Sequence, residues 1–398
     1  RLGEAKWDDG RQVTAERIAR LLNERISELG KSRLGDQLSV IDEAISMTGR
    51  VIEIRLIAPS PNFLQLMAQP EMALFRAGHG TGPMQLINEE RGIQLGLFRD
   101  ASVVKEDDDK ENRWVRLRNE SPAKAIARFN AGYVDVVLNG KFNHLPLIEQ
   151  AGVDGNDLRF NPVAGLFGIQ FTKAEGFWTV PVNREVFSMI VDRATLLSSF
   201  PSVNAWQTRL KIIPRALDVE DINTYPDWSA MTIEDRRTFA RDHIRKWLDS
   251  EGSIAPLTIT LPDSAGADIL FLRLQSDMRQ VGLDLRRAKS PKDADARLID
   301  EIAPYDSARW FLSQRTCLQT AICLNHADDL ITAGDEALDL QQKAIFYAEA
   351  EKLLVNHYNY IPLGTPVRWS LAKPDQRGFA VNSRGWHSLN NLVGIPIS

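Results

Sequence analysis

The residues that could do chemistry are few and scattered in this chain of 398 residues. It contains no Gly-x-Ser-x-Gly elbow, no His-Glu-x-x-His pair and no Walker loop. The six histidines form no set at ligand spacing; they are His79, His144, His243, His326, His357 and His387. Each of them is more typical of a surface or satisfied core position than of a metal ligand. Nothing in the pattern indicates a catalytic site.

A glycine-rich stretch at residues 78–82 is a second candidate, because phosphate-binding loops are rich in glycine. A dinucleotide loop follows a strand and opens a helix, so that the first N–H groups of the helix meet the phosphates. Here Pro83 and the alternating Ile93, Leu95 and Leu97 lead into strands instead. We therefore predict a tight turn that feeds a β-hairpin.

Two further groups could hold a metal ion. Three aspartates at 107–109 lack the glycine and the terminal glutamate of a calcium loop, which favours a solvated loop. Cys317 and Cys323 have no His or Cys partner at ligand spacing, which favours a short disulfide over a metal site. Two buried free thiols are the alternative. A disulfide would indicate an oxidising compartment.

Composition is that of an ordinary globular protein, with 43% hydrophobic and 25% charged residues. The length exceeds one typical core, so two or more domains are expected. A net charge of −5 argues against a general affinity for nucleic acid or anionic membranes. No apolar run approaches the roughly 20 residues that a membrane-spanning helix needs.

Predicted strands and helices alternate along the chain, which is typical of an α/β fold. Residues 114–171 predict two successive β-α-β units, and residues 257–287 predict another. Residues 183–200 predict one amphipathic helix, and 360–363 predict a strand that enters a last extended segment. We therefore expect two α/β lobes joined by extended segments.

Several short landmarks occur in a fixed order along the chain. They are Trp7-Asp8-Asp9-Gly10 with Val13-Thr14-Ala15-Glu16, Gly80-Thr81-Gly82-Pro83, Asp192-Arg193, Ile361-Pro362-Leu363 and Gly378-Phe379. As an ordered set over essentially the whole chain, they resemble the peptide/nickel-type (family 5) periplasmic solute-binding proteins of ABC importers. Dipeptide-binding relatives carry a cysteine pair at the matching place, so the resemblance implies a bridge between Cys317 and Cys323.

The resemblance implies a two-lobed, periplasmic binding protein type II-like α/β fold, with a small accessory domain inserted in the first lobe. We expect the accessory domain and part of lobe 1 at 1–77, more of lobe 1 at 78–174, lobe 2 at 175–368, and a return to lobe 1 at 369–398. Hinge closure would enclose ligand between the lobes. Family members begin with a further stretch before the first landmark, so we expect this chain to be truncated at its N-terminus.

The implied function is that of an extracytoplasmic, periplasmic receptor. It would deliver a peptide, or another small polar solute, to the permease of an ABC importer. We expect a monomer that binds no nucleic acid, uses no cofactor or metal, and is not an enzyme, because reversible binding needs no nucleophile or base. The alternatives are a periplasmic enzyme that uses the same cleft, and a ligand-sensing or scaffold protein on a degenerate receptor fold.

Ligand contacts are the finest prediction. Peptide-binding relatives hold the ligand's amino terminus with an aspartate that matches Pro304 here, and dipeptide binders place an arginine near the start of the helix at Asp268, where the match is non-basic. Both departures argue against a simple dipeptide, because an unpaired buried ligand charge is costly. Expected wall residues are Trp310, Trp369 and Trp386, and expected polar contacts are Glu301, Asp306, Arg309 and Arg384. For each one, a structural or solvent-exposed role is the alternative.

Overall fold

The structure, a computed structural model, describes the chain apart from some short stretches. The residues left undescribed are 33, 91–92, 99–113, 201–202, 204–205, 215–216, 218, 220–224 and 394–398. The aspartates at 107–109, predicted to form a solvated loop, lie outside the described residues. None of the described helices is both long and apolar enough to cross a membrane.

The chain divides into two compact units. Unit 1 comprises residues 1–140, 147–162 and 368–398, and unit 2 comprises residues 141–146 and 163–367. Residues 141–146 and 163–174, which we expected in the first lobe, belong to unit 2, and residue 368, which we expected in the second lobe, belongs to unit 1. The separation of an accessory domain at 1–77 from the rest of lobe 1 stays a prediction.

Helices and strands alternate along the described chain. The strands are β1 Ile41–Thr48, β2 Val51–Leu56, β3 Met84–Glu90, β4 Ile93–Phe98, β5 Trp114–Arg118, β6 Val136–Lys141, β7 Leu158–Asn161, β8 Gly165–Phe171, β9 Leu257–Thr260, β10 Leu285–Arg287, β11 Ala296–Ile302, β12 Tyr360–Gly364 and β13 Arg368–Ala372. The helices are α1 Ala15–Leu29, α2 Gly35–Leu38, α3 Phe63–Met67, α4 Pro122–Asn130, α5 Leu145–Gln150, α6 Pro181–Ile190, α7 Arg193–Ser198, α8 Ile233–Glu251, α9 Ala265–Arg279, α10 Ala308–Ser313, α11 Asn325–Glu336 and α12 Leu340–His357.

The sheets of unit 1 are small. Strands β1 and β2 form an antiparallel hairpin, and α1 packs on β1. Thr14 caps α1, because its hydroxyl oxygen accepts the N–H of Arg17. A second sheet has the order β3-β4-β5, so the hairpin predicted to follow Pro83 is confirmed. A third sheet has the order β6-β13-β7 and draws its middle strand from the C-terminal part of the chain.

The first landmark and the glycine-rich turn contact each other in unit 1. The N–H of Asp8 donates to the carbonyl of Gly80 at 3.0 Å, and His79 Nδ1 lies 2.5 Å from Asp8 Oδ1. The Asp9 carboxylate pairs with Arg76. The turn is therefore a structural junction between two segments that lie about 70 residues apart in sequence, and the prediction of a turn rather than a phosphate loop is consistent with these contacts.

The two β-α-β units predicted over residues 114–171 are wrong. Helices α4 and α5 are present, but β5 pairs with β4, β6 pairs with β13, and β8 lies in the sheet of unit 2. Alternating patterns specify which face of a strand is buried, whereas the identity of the paired strand depends on tertiary packing. Strands β5, β6 and β8 therefore belong to three different sheets, whereas the two predicted units would have placed them in one sheet.

Unit 2 is built on a sheet of order β10-β9-β11-β8-β12. Strands β9, β10 and β11 are parallel, and β8 runs antiparallel to both β11 and β12. The β-α-β unit predicted at 257–287 is confirmed, since α9 connects the parallel neighbours β9 and β10. Most of β8 and all of β12 are buried, as expected for strands covered on both faces.

The helix predicted over 183–200 is two helices. The chain leaves α6 after Ile190, and the Asp192 carboxylate caps α7 by accepting the N–H of Thr195 at 3.1 Å. An aspartate competes with helical hydrogen bonding when it binds nearby backbone, so it favours a cap over a helix interior. This break brings Arg193 to the first position of α7.

Arg193 is buried and bonds to main-chain oxygens. Its Nε donates to the carbonyl of Pro362 at 2.7 Å, and its Nη1 donates to the carbonyl of Ser188 at 2.9 Å. Nη2 donates to the Ser188 hydroxyl at 2.9 Å. Burial lowers the pKa of Arg193 to about 9. The side chain joins the end of α6 to β12, and so holds together the helical and sheet layers of unit 2.

The predicted disulfide between Cys317 and Cys323 is confirmed, with their Cα atoms 5.0 Å apart. The bridge closes the segment between α10 and α11. Within this segment the N–H of Cys317 donates to Asp328 Oδ2 at 2.9 Å, and the carbonyl of Ile322 accepts Asn359 Nδ2 at 2.7 Å. The bridged loop is therefore tied to both α11 and the start of β12.

We expect Arg193→Met to destabilise the protein by about 3 kcal/mol, because it leaves the buried carbonyls of Ser188 and Pro362 without a donor. Urea unfolding followed by circular dichroism measures the change. The matched control is Arg245→Met on the exposed face of α8, which should cost about 0.5 kcal/mol or less. Equal effects of the two changes would contradict the role given to Arg193.

Removal of the disulfide by Cys317→Ser with Cys323→Ser should lower the free energy of unfolding by about 2 kcal/mol, the chain-entropy value for so short a loop. Thermal unfolding with and without dithiothreitol provides the measurement. Reductant should lower the melting temperature of the wild type and leave the double variant unchanged. A wild-type melting temperature that is the same with and without dithiothreitol would argue against the bridge.

Candidate functional site

The sheet of unit 2 presents one edge at which a ligand site is expected. Strands β9, β11 and β12 end at this edge, and β8 begins there because it runs antiparallel. The chain also changes unit here, after residue 162 just before β8 and after residue 367 just after β12. Open α/β sheets bind ligands at the carboxyl ends of their strands. We call this edge the carboxyl edge.

Two of the predicted polar contacts lie at the carboxyl edge. Glu301 is near the end of β11, opposite Leu166 of β8, and is partly exposed. Asp306 is exposed in the loop between β11 and α10. The strands approach closely here, since a Cβ on Gly165 would come within 2.0 Å of the Glu301 carbonyl oxygen. A glycine at that position keeps the start of β8 against β11.

Arg309 already has a carboxylate partner within unit 2. Its Nε lies 2.8 and 2.7 Å from the two oxygens of Asp335, and the Tyr347 hydroxyl donates to the same carboxylate at 2.7 Å. The cluster joins α10, α11 and α12. Buried Nη1 of Arg309 has no hydrogen-bond partner among the described residues. The Arg309 charge is thus balanced inside the unit by Asp335.

The tryptophans expected to line a ligand site differ in exposure. Trp310 in α10 is 6% exposed and packs edge-on against Phe311 with ring centroids 4.9 Å apart. Trp369 in β13 is 1% exposed, and a Cβ on Gly140 would lie 2.0 Å from its ring. These two side chains favour the structural alternative. Trp386 is 46% exposed, which leaves its ring accessible.

A buried polar cluster in unit 2 was missed by sequence reasoning. Arg315 donates through Nη1 to Gln170 Oε1, and its guanidinium lies 4.5 Å over the ring of Tyr360. Burial raises the pKa of Tyr360; the Arg315 charge opposes this shift, and the charges of Glu301 and Asp300 add to it. The cluster joins β8, β12 and the α10 end. No local pattern could have revealed it, because Gln170 and Arg315 are 145 residues apart.

Arg384 and Trp386 lie on a loop of unit 1 that one side chain organises. Asn382 Oδ1 accepts the N–H groups of Arg384 at 3.0 Å and of Trp386 at 3.2 Å, and Asn382 Nδ2 donates to the Trp386 carbonyl at 2.7 Å. The N–H of Asn382 donates to Asn161 Oδ1 at 3.0 Å, which fixes the loop to β7. Gly385 adopts φ +65°, a backbone conformation that favours glycine.

The residue after this loop is also packed on unit 1. The His387 ring stacks on Phe379 with centroids 4.7 Å apart, and burial lowers the pKa of His387. The sequence did not single out Asn382 or His387, because a lone polar residue in a loop carries no periodic signal. The sequence Asn-Ser-Arg-Gly-Trp at 382–386 is nevertheless typical of an Asx turn, which could have pointed to Asn382.

The structure distributes the predicted site residues over both units. Glu301, Asp306, Arg309 and Trp310 belong to unit 2, and Trp369, Arg384 and Trp386 belong to unit 1. Across the described parts of the chain, no group of three His, Cys, Asp or Glu side chains could hold a metal ion. Within unit 2 the exposed or partly exposed candidates include two carboxylates, and within unit 1 they are a guanidinium and an exposed indole.

We expect Asn382→Ala to loosen the loop that carries Arg384 and Trp386, since it removes three hydrogen bonds. Amide hydrogen exchange at residues 384–386 should become at least about tenfold faster, a loss of about 1.4 kcal/mol of local protection. Asn390→Ala, in a partly exposed position nearby in sequence, is the control and should leave those amides unchanged. Unchanged exchange in Asn382→Ala would contradict the positioning role.

No protein-family model and no curated protein matches this chain. Solved structures match it over nearly its full length. The murein tripeptide binding protein MppA of Escherichia coli has a TM-score of 0.79 and 15% identity, with 98% of this chain and 85% of that chain covered. OppA of Haemophilus influenzae, in complex with RPPGFSPFR, has a TM-score of 0.76 and 14% identity, with 98% and 85% covered.

NikA of Brucella suis, in complex with Fe(III)-EDTA, has a TM-score of 0.74 and 15% identity, with 99% of this chain and 85% of that chain covered. At such low identity these likenesses show the fold and leave the ligand open. They confirm the predicted fold class: the chain has the two-lobed α/β fold of the peptide/nickel-type (family 5) periplasmic solute-binding proteins.

Proposed function

We propose that this protein is an extracytoplasmic solute receptor that delivers a small polar ligand to an ABC importer. One observation carries the proposal: the fold matches binding proteins over 98–99% of the chain, including both units. Such receptors bind and release their cargo unchanged, so they need walls and fixed polar groups but no nucleophile. The absence of a catalytic motif in the sequence agrees with this function.

The ligand is proposed to be a peptide or a peptide-like solute. The matched proteins are named for, or hold, a murein tripeptide, the sequence RPPGFSPFR and Fe(III)-EDTA, all of which are polar and charged. In this chain the exposed or partly exposed candidates carry both signs of charge, with Glu301 and Asp306 in unit 2 and Arg384 in unit 1. Opposite charges suit the amino and carboxyl groups of a peptide.

The predicted residues take different roles in this proposal. Glu301, Asp306 and Arg384 supply charge, and the exposed ring of Trp386 supplies an aromatic surface. Arg309 is a partly exposed contact whose charge Asp335 balances. Buried Trp310 and Trp369 support the backbone that carries the contacts. Hinge closure around the ligand stays a prediction of the same proposal.

The proposed location is the periplasm, and the proposed partner is an importer permease. The bridge between Cys317 and Cys323 supports an oxidising compartment, because disulfides are rare in reducing cytosol. We propose that the receptor acts as a monomer, without nucleic acid or cofactor. Its net charge of −5 is consistent with the exclusion of nucleic acid.

Mass spectrometry of small molecules released from protein purified from its native host tests the proposal most directly. We expect one class of peptide-like compound, bound at close to one molecule per chain and recovered chemically unchanged. Small-angle scattering on the stripped and reloaded protein should show a smaller radius of gyration when the compound is present. Conversion of the compound during incubation would favour the enzyme alternative and contradict this function.

Charge-removing variants test the contacts by calorimetry with the same compound. Glu301→Gln and Arg384→Gln should each weaken binding by about tenfold or more, which corresponds to about 1.4 kcal/mol. Glu349→Gln on α12 and Arg245→Gln on α8 remove like charges from exposed positions and serve as matched controls. If the controls weaken binding as much as the site variants, the charges act at long range and the assigned contacts are wrong.

A further inference from the structure

An aromatic cluster lies in unit 2 and does not include any residue of the predicted site. It consists of Phe142, Phe167, Phe200 and Trp206. The ring of Trp206 lies 5.2 Å from that of Phe167 and 5.3 Å from that of Phe200, while Phe142 contacts Phe167 at 4.9 Å. The three phenylalanines are buried, whereas Trp206 is only partly buried. Trp206 is therefore the member of the cluster that reaches the surface.

The position of the Trp206 ring is fixed by backbone contacts with the end of β12. Its Nε1 donates to the carbonyl of Thr365 at 2.7 Å, and the N–H of Thr365 donates in turn to the carbonyl of Gln207 at 3.1 Å. Thr208 forms an antiparallel bridge with Gly364. A Cβ on Gly364 would come within 2.8 Å of the Gln207 carbonyl oxygen, so the glycine permits this close approach.

These contacts determine which groups of the Trp206 indole are available to a ligand. Its one donor is occupied by Thr365, so the exposed part of Trp206 offers an apolar π-surface and no hydrogen bond. The ring cannot swing away without breaking that bond and its packing on Phe167 and Phe200. A rigid, accessible aromatic surface is what a binding site uses to select an apolar group.

Trp206 also lies at the carboxyl edge. Thr365 follows the last residue of β12, and Phe167 is close to the first residue of β8. Both strand ends belong to the edge that carries Glu301 and Asp306. The indole therefore shares an edge of unit 2 with the carboxylates already assigned to the ligand.

We propose that Trp206 is a specificity-determining residue, whose ring packs against an apolar or aromatic side chain of a peptide ligand. The inference rests on the proposed receptor function and deepens it by naming the ligand class: a short peptide with a hydrophobic side chain. Peptides whose side chains cannot cover the indole bind more weakly.

Calorimetry with the tripeptides Ala-Gly-Ala and Ala-Phe-Ala tests the proposal. The wild type should bind Ala-Phe-Ala tighter than Ala-Gly-Ala by about tenfold or more. Trp206→Leu should reduce this ratio to about threefold or less by weakening the Phe peptide alone. Trp206→Phe, which keeps a ring but loses the bond to Thr365, should retain most of the preference. Circular dichroism and melting curves establish that each variant is folded.

A second measurement does not depend on the folding of Trp206→Leu. Wild type labelled with 5-fluorotryptophan should give fluorine resonances from its nine tryptophans, and the signal missing from labelled Trp206→Phe identifies Trp206. Ala-Phe-Ala should shift this signal, and Ala-Gly-Ala should shift it less at equal occupancy.

Three results would overturn the inference. A preference ratio unchanged in Trp206→Leu, or equal weakening of both peptides, would make Trp206 a structural residue and leave the receptor function standing. If the wild type binds neither peptide but retains a different co-purified solute, the inference is wrong and the receptor function still stands. Failure to bind any solute at all would count against the proposed function itself.

Discussion

Coverage of the outer edge of β12 is the constraint on which unit 2 depends. Among the described residues β12 is the last strand of its sheet, so the backbone groups on its outer side need hydrogen-bond partners from outside the sheet. Arg193 supplies a donor to the Pro362 carbonyl, and the N–H of Arg209 supplies one to Leu363 at 3.1 Å. A proline is tolerated in β12 because an edge strand needs fewer N–H donors. The segment that covers this edge begins at Trp206. The contacts that satisfy the edge of β12 therefore also fix the partly exposed ring of Trp206.

Sequence patterns predicted what depends on near neighbours. The hairpin after Pro83 and the β-α-β unit at 257–287 are local, and both are present. The helix predicted at 183–200 failed at Asp192, because a side-chain cap competes with helical continuation. The partner of β6 could not be predicted, since β13 comes from a segment more than 200 residues away in sequence.

The site could be predicted less well than the fold. Tryptophans near predicted strand ends are reasonable candidates for a ligand wall, but burial is a tertiary property, and Trp310 and Trp369 lie in the interior. The exposure of charged residues is easier to predict, because charged side chains are mostly exposed in folded proteins. Glu301 is partly exposed and Asp306 is exposed at the carboxyl edge. No such expectation singles out Asn382, and only its contacts in the folded chain reveal what it does.

The middle strand of the β6-β13-β7 sheet has a consequence for the order of folding. Unit 2 lies wholly between residues 141 and 367, whereas β13 begins at Arg368. A growing chain therefore contains all of unit 2 before unit 1 can close its sheet. Before Trp369 has been synthesised, its indole ring cannot yet pack against Gly140, so the core of unit 1 is incomplete there. Completion of unit 1 therefore follows the synthesis of unit 2, and an incomplete core leaves that part of the chain flexible during translation.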